Sequence, residues 1–169
     1  HSLTAVYAGD ANNTASTSSA KSLTVNARTT TTALAASPSP ATVGASVTLT
    51  ATITGTNASG TVTFKDGTTT LGTGTLASGT ATLSTSFTTV GTHSLTAVYG
   101  GDTNNQTSTS SAKSLTVNQR STTTTLAASA NPALKNASVT LTATITGTNA
   151  SGTVTFKDGT TTLGTGTVT

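Results

Sequence analysis

The chain has 169 residues, enough for one ordinary domain or two small ones, and it contains no cysteine, so neither a disulfide nor a thiolate metal site can stabilise it. Its net charge of +3 is the balance of seven Lys and Arg residues, which are scattered singly, and four Asp residues, and only 3% of its residues are aromatic, so the sequence has neither a basic run nor an aromatic platform for nucleic acid. No apolar stretch approaches the ~20 residues of a membrane-spanning helix, so we expect no membrane contact by this segment.

Threonine and small aliphatic residues dominate the sequence and alternate along it. Thr occurs 49 times and Ser 21 times, and the apolar residues between them are mainly Val, Leu, Ile and Ala. Branched side chains suit the pleated surface of a sheet, whereas a low-complexity, mucin-like tract has no such alternation. The composition therefore favours β-strands over disorder.

The chain opens with residues 1–27, which return as residues 93–119 with 5 differences in 27 positions. Residues 28–77 return in the same way as residues 120–169, with 9 differences in 50 positions. The sequence therefore repeats at a spacing of 92 residues without a gap. Self-similarity at a fixed spacing is typical of repeat architectures.

The one complete copy spans residues 28–119. We expect residues 1–27 to be the C-terminal strands of a preceding repeat and residues 120–169 to be the N-terminal half of a following one. A window from a longer chain of repeats explains this arrangement. The alternative is that separate subunits complete each other head to tail, but their joint sandwich would lack the strand equivalent to residues 79–87 and would contain a large void.

Seven short strands are predicted within the complete copy. They span residues 30–37, 46–54, 60–66, 68–76, 79–87, 93–99 and 114–118. Pro38 and Pro40 exclude a central strand between the first two and favour a turn or a sheet edge. Because no segment has a helical period and turn residues separate the strands, the pattern predicts an antiparallel β-sandwich in which each sheet has one dry and one wet face.

Strand parity identifies the predicted core. The run SVTLTATIT at residues 46–54 places its aliphatic residues on one face and its threonines on the other, as in a half-buried strand. The same parity applied to the other strands completes the set. The predicted core residues are Leu49, Ile53, Val62, Phe64, Leu83, Leu95, Tyr99 and Val117.

Four stretches of the complete copy carry a resemblance to a known family. TTTTALAASPSPATVGASVTLTATI, SGTVTFKDGTTTLGTGTL, GTATLSTSF and GTHSLTAVYGGD are similar to the bacterial Ig-like domains of group 3. That family occurs as tandem repeats in large secreted or surface-anchored bacterial proteins. The resemblance implies tandem immunoglobulin-like sandwiches with a period of 92 residues and an extracellular or cell-surface location in a bacterium. It implies no activity, because such domains serve as spacers, stalks and sometimes adhesive modules.

The resemblance also gives an expectation for residues 91–95 (GTHSL). They occupy the place of the G-x-Y-x-C step of antibody domains, in which the Tyr forms a corner and the Cys forms a disulfide between the sheets. His93 then stands in place of the Tyr and Leu95 in place of the Cys. We expect Leu95 and Leu49 to approach each other across the core, and His93 to be a half-buried corner residue that is hydrogen-bonded to backbone.

Residues that support catalysis are scarce. The acids are two copies of two positions, and no Glu is present; they are Asp10, Asp66, Asp102 and Asp158. Within one repeat the two carboxylates lie on different turns, whereas a paired-carboxylate hydrolase needs two acids that converge on one bond. The spacing indicates no Ser–His–Asp set, so we expect no enzyme activity and no cofactor.

The loop GGDTNN presents Asp102, Asn104 and Asn105 as the candidate calcium ligands. Calcium takes six to eight oxygen ligands and usually more than one carboxylate. A polar loop held by turn-forming Asx residues is the simpler interpretation, and the sequence predicts no other metal site.

Exposed hydroxyl-rich segments are candidates for O-linked sugar. The richest is the loop 103–111 (TNNQTSTSS). The possible O-glycosylation sites there are Thr103, Thr107, Ser108 and Thr109.

The segments 25–28 and 117–120 leave only a few residues between the last strand of one copy and the first strand of the next. Neighbouring copies therefore have little freedom to swing. With a threonine surface that resists sticking, these features predict a structural module of a semi-rigid extracellular stalk or filament. Its partners would be neighbouring copies of the same repeat, in cis or head to tail between chains.

The alternative function is an adhesive module that binds glycan or a host protein, such as a surface receptor, through its loops. Binding sites of this kind usually present aromatic anchors or clustered charge. The aromatic residues of the complete copy, Phe64, Phe87 and Tyr99, all have inward parity. The sequence therefore favours the structural role.

Overall fold

The computed structural model describes residues 1–168 as an all-β chain without a helix. Residues 1–27 hold four two-residue strands, which are β1 (Ser2–Leu3), β2 (Val6–Tyr7), β3 (Ser16–Thr17) and β4 (Lys21–Ser22). Strand β1 pairs with β4 and β2 pairs with β3, both antiparallel, so the segment is one long interrupted hairpin. Across the described residues there is no helix long and apolar enough to cross a membrane.

Residues 28–119 hold nine strands. They are β5 (Thr31–Ser37), β6 (Ala41–Thr42), β7 (Ser46–Thr54), β8 (Thr61–Asp66), β9 (Thr69–Thr75), β10 (Thr80–Ser86), β11 (Gly91–Tyr99), β12 (Ser108–Thr109) and β13 (Lys113–Asn118). All seven predicted strands are present, each with ends within two residues of the prediction. The fold class predicted from the period-2 pattern, an all-β chain of several sheets, is confirmed.

Two sheets face each other in this segment. One has three antiparallel strands in the order β10–β7–β5, and the other follows the order β6–β13–β11–β8–β9, with β12 paired to β11. The only parallel pair within the described sheets joins β6 to β13. The two-residue strands β6 and β12 were missed at the sequence level because so short a segment has no readable alternation. Strand β6 falls within the segment in which the prolines predict a turn or a sheet edge.

The core lies between the two sheets. Along β7 the burial alternates strictly, with the aliphatic residues buried and most of the threonines exposed. The buried apolar cluster contains seven of the eight predicted core positions, namely Leu49, Ile53, Val62, Phe64, Leu95, Tyr99 and Val117. Leu49 and Leu95 are fully buried on facing sheets. Leu83 is only half-buried, because it lies on the edge strand β10. The Leu83 side chain reaches over Gly72 at the rim of the sandwich.

The last described segment repeats the local geometry of the complete copy. It contains β14 (Thr123–Ala128), β15 (Leu141–Thr146), β16 (Gly152–Asp158) and β17 (Thr161–Val168). These strands form two antiparallel pairs, β14 with β15 and β16 with β17. The second pair shifts register between Phe156 and Lys157, and β8 and β9 shift at the equivalent Phe64 and Lys65. A cavity of about 260 Å³ lies between the two pairs, with Ile145, Val154 and Phe156 in its lining.

Equivalent residues differ in burial between the copies. Leu95 is 0% exposed in the complete copy, whereas Leu3 at the same repeat position is 50% exposed. Tyr99 and Tyr7 differ in the same way, at 0% and 46%. Burial of these positions therefore depends on the strands that face them and not on their own hairpin alone.

Candidate functional site

The loop after β11 is organised by the carboxylate of Asp102. Its Oδ1 accepts hydrogen bonds from the backbone N–H groups of Asn104 and Asn105, both at 2.8 Å. Its Oδ2 accepts hydrogen bonds from the backbone N–H of Ser59 at 2.9 Å and from the Tyr99 hydroxyl at 3.0 Å. The carboxylate therefore joins the end of β11, its own loop and the loop between β7 and β8.

Asn105 makes the second connection between the two loops. It is only 2% exposed, and its Nδ2 donates to the Thr56 carbonyl at 3.2 Å and to both carboxylate oxygens of Asp102 at 3.0 Å. Its Oδ1 is buried and accepts no hydrogen bond from the described residues. An amide that bridges two loops in this way fixes their separation, because its donors are directional.

The hydrogen bonds shift two pKa values in this cluster. The backbone N–H of Asn104 and the side chain of Asn105 hold the pKa of the Asp102 carboxyl well below its usual value. Burial and the neighbouring Asp102 carboxylate raise the pKa of the Tyr99 hydroxyl. The carboxylate is therefore ionised and the phenol protonated near neutral pH, which is the pairing that the hydrogen bond requires.

The candidate calcium ligands Asp102, Asn104 and Asn105 form a hydrogen-bonded network, which we call the loop lock, that fixes the loop after β11. Both oxygens of Asp102 face N–H and O–H donors, and such donors compete with a cation for the same lone pairs. Within the described part of the chain, no group of three His, Asp or Glu side chains lies close enough to hold a metal ion. The geometry favours the turn interpretation of this loop.

The same lock occurs in residues 1–27. The Tyr7 hydroxyl donates to Asp10 Oδ2 at 2.7 Å, and the backbone N–H groups of Asn12 and Asn13 donate to Asp10 Oδ1 at 2.8 and 2.9 Å. These bonds lower the pKa of the Asp10 carboxyl to about 2. The local sequence Y-x-G-D-x-N-N therefore forms the lock even where no facing sheet covers it.

His93 and Asp66 form an ion pair that sequence reasoning missed. His93 Nδ1 lies 2.6 Å from Asp66 Oδ2, and His93 Nε2 donates to the Thr89 carbonyl at 3.1 Å. Since a carbonyl only accepts, this arrangement suits the doubly protonated imidazolium. The hydrogen bond to Asp66 raises the pKa of His93, although burial opposes the shift. The ring also packs on Phe87, with 4.6 Å between ring centroids.

His93 is half-buried near the start of β11, and its hydrogen bond to the Thr89 carbonyl is one to backbone. Its ion-pair partner is instead the Asp66 side chain, 27 residues away in the chain. The pair forms because β11 and β8 are neighbouring antiparallel strands, in which Leu95 lies directly opposite Asp66. Asp66 at the end of β8 is thereby brought beside His93 near the start of β11.

The possible O-glycosylation sites differ in accessibility. Thr103, Thr107 and Thr109 are exposed. Ser108 is half-buried in β12, and its hydroxyl lies 2.7 Å from the hydroxyls of both Thr30 and Thr32. Of the four candidates, the three threonines are therefore exposed, and Ser108 belongs to the contact between β12 and β5.

These features define a class of protein. Two facing sheets enclose an aliphatic core, and hydrogen-bonded loop locks hold loops at the ends of the strands. This is the organisation of an immunoglobulin-like β-sandwich module. The chain belongs to the family of the bacterial Ig-like domain (group 3), whose family model matches residues 34–118.

Among solved structures, the chain is similar to the structures of Clostridium thermocellum CbhA fibronectin(III)-like modules. The sequences are 20% identical, the TM-score is 0.43, and the match covers 79% of this chain and 72% of that chain. None of the curated proteins matches the chain.

Proposed function

We propose that the chain is a segment of an extracellular structural protein, in which tandem Ig-like sandwiches with a period of 92 residues form a semi-rigid stalk or filament. The observation that best supports this proposal is the hydrogen bonding of Arg28, at the junction with the preceding copy. Its backbone N–H donates to the Asn104 carbonyl and its carbonyl accepts from the Gln106 N–H, both at 2.8 Å. The first residue of the complete copy is thus held by a loop of its own copy, so the linker that precedes it is only a few residues long and has little freedom.

A non-catalytic role fits the same geometry. Asp66 is engaged by His93 and by the Ser94 N–H, and Asp102 is saturated by loop donors. The carboxylates of the complete copy therefore support turns and loops. The aromatic residues Phe64, Phe87 and Tyr99 are buried, which supports a spacer over the adhesive alternative, because adhesive loops usually present aromatic anchors.

Neighbouring copies of the repeat are the proposed partners. In residues 1–27, Leu3, Tyr7 and Leu23 are exposed, whereas the equivalent residues of the complete copy are buried by facing strands. We propose that another copy supplies such strands, either in cis within a longer chain or head to tail between chains. Sedimentation of the 169-residue polypeptide separates the two cases, because concentration-dependent association supports assembly between chains and a monomer supports assembly in cis.

Two measurements test the stalk. An antibody raised against the complete copy should label intact cells of the source bacterium, and label found only after lysis would refute the extracellular location. Small-angle X-ray scattering should show a rod that lengthens by roughly 3 nm or more with each added copy. For the adhesive alternative, a glycan-array or pull-down signal that is lost on substitution of Thr103, Thr107 and Thr109 would replace the structural proposal.

A further inference from the structure

Arg120, the first residue of the following copy, contacts the copy that precedes it. Its Nε donates a hydrogen bond to the Val43 carbonyl at 3.1 Å. Its Nη2 lies directly over Gly44, so a Cβ at that position would displace the end of this flexible side chain. The side chain is exposed as a whole, so the contact lies on the surface of the sandwich at the junction.

The segment that receives the guanidinium is itself fixed. The Val43 N–H donates to the Asn118 carbonyl at 2.9 Å, and the Gly44 N–H donates to the Phe87 carbonyl at 2.8 Å. Asn118 ends β13, and only Gln119 separates it from Arg120. Residues 118–120 and Val43 therefore form a small ring, which is closed by the hydrogen bonds from Arg120 to the Val43 carbonyl and from the Val43 N–H to the Asn118 carbonyl. This ring restricts the orientation in which the following copy extends from the complete copy.

The following copy lacks the residues that make this receiving surface. Lys135 and Asn136 stand where the complete copy has Val43 and Gly44. Asn136 has φ 63° and Gly44 has φ 74°, so asparagine keeps the same left-handed backbone. Asn136 also adds a side chain at the position over which a guanidinium lies in the complete copy. Lys135 adds a positive charge, which would repel a guanidinium placed there.

We propose that residues 43–44 are an interface for the guanidinium of the following repeat, and that the residue pair at these positions determines whether a junction is locked. Val-Gly accepts the guanidinium and holds the junction, whereas Lys-Asn excludes it and leaves the junction free. This inference rests on the proposed function in one respect, since it supplies the stiffness that a stalk needs.

The absence of cysteine permits a direct test. Thr52 and Thr144 are exposed and occupy the same repeat position, so nitroxide labels on T52C and T144C report the distance between adjacent copies by pulsed electron paramagnetic resonance. Arg120→Ala and Gly44→Asn should each broaden the distance distribution roughly two-fold, because a few unrestrained linker residues then set the orientation. Val43→Lys should broaden it as well.

Arg28→Ala is the matched control, since Arg28 occupies the equivalent repeat position but lies outside the measured junction. It should leave the distribution unchanged. Gly44→Asn should also keep the thermal unfolding of the complete copy, because Asn136 already adopts the required backbone. The proposed interface between Arg120 and residues 43–44 would be overturned by a parent distance distribution as broad as that of Arg120→Ala. Equal broadening by Arg28→Ala would overturn it as well. These outcomes are independent of cell-surface labelling, so failure of the lock and failure of the stalk proposal are distinguishable.

Discussion

The hydroxyl of Tyr99 lies 3.0 Å from the carboxylate Oδ2 of Asp102, three residues further along the chain. Because the tyrosine ring belongs to the core and the carboxylate belongs to the loop, this bond connects sandwich packing to loop geometry. The same carboxylate holds the Ser59 N–H at 2.9 Å. The loops at this end of the sandwich are therefore set by the position of one core side chain.

Replacement of Tyr99 by Phe should destabilise the complete copy by roughly 1 to 2 kcal/mol, because the ring still packs but Asp102 and the Ser59 carbonyl lose a hydrogen-bond partner. Urea unfolding measures this loss as a lower midpoint with an unchanged slope. Tyr7→Phe is the matched control, since Tyr7 makes the same bond to Asp10 while being about half exposed. A Tyr99→Phe variant as stable as the parent would show that the lock contributes nothing to folding.

Leu95 and Leu3 allow core burial to be tested at one repeat position. Leu95→Ala should cost about 2 to 5 kcal/mol, because it leaves a cavity between the sheets. Leu3→Ala should change the free energy of unfolding by no more than about 0.5 kcal/mol, since Leu3 is half exposed in this chain. Chemical denaturation of both variants makes the comparison, and equal losses would contradict the difference in burial.

The seven longer strands of the complete copy were predictable because each has a period-2 pattern that ends at turn residues. SVTLTATIT is an example, since every second residue of β7 is buried as its sequence alternation implies. The turn at Gly67, with φ 54°, follows from the Asp66-Gly67 signal for a hairpin. These features depend on neighbours in the sequence and therefore show in the sequence.

The contacts of the candidate site depend on which strands become neighbours, and a sequence pattern does not contain that information. His93 meets Asp66 only because β11 pairs with β8, and Asn105 meets Thr56 only because two distant loops share one end of the sandwich. The docking of Arg120 on Val43 likewise requires the parallel pairing of β6 with β13. A two-residue strand such as β6 leaves no periodic signal from which that pairing could be predicted.

Gly74 lies at a point where the two sheets approach closely. A Cβ at this position would meet the Thr82 carbonyl oxygen at 2.6 Å, and that oxygen belongs to backbone that has little room to move. Gly74→Ala should therefore destabilise the complete copy by roughly 1 to 3 kcal/mol, as overpacking does. At the equivalent Gly166 a Cβ would meet Phe156 at an ordinary 3.5 Å. Gly166→Ala should be neutral in the same thermal melts, and a harmless Gly74→Ala would contradict the close approach.

The ion pair of His93 with Asp66 predicts how stability depends on pH. The hydrogen bond to Asp66 raises the folded-state pKa of His93 above its ordinary value of 6.5. A raised histidine pKa contributes stability that is fully present below the unfolded-state pKa and is lost as the pH rises through the folded-state pKa. The free energy of unfolding should therefore fall as the pH rises above about 6.5.

His93→Gln removes the titrating group and should flatten this part of the stability profile, measured by urea unfolding between about pH 5 and pH 9. Asp66→Asn should flatten it too, because the imidazolium then has no carboxylate beside it, whereas the amide oxygen still accepts the hydrogen bond from the Ser94 N–H. Two-dimensional NMR of the imidazole gives the folded-state pKa of His93 directly. A profile that keeps its slope in His93→Gln would assign the pH dependence to other groups, and a His93 pKa below 6.5 would contradict the ion pair.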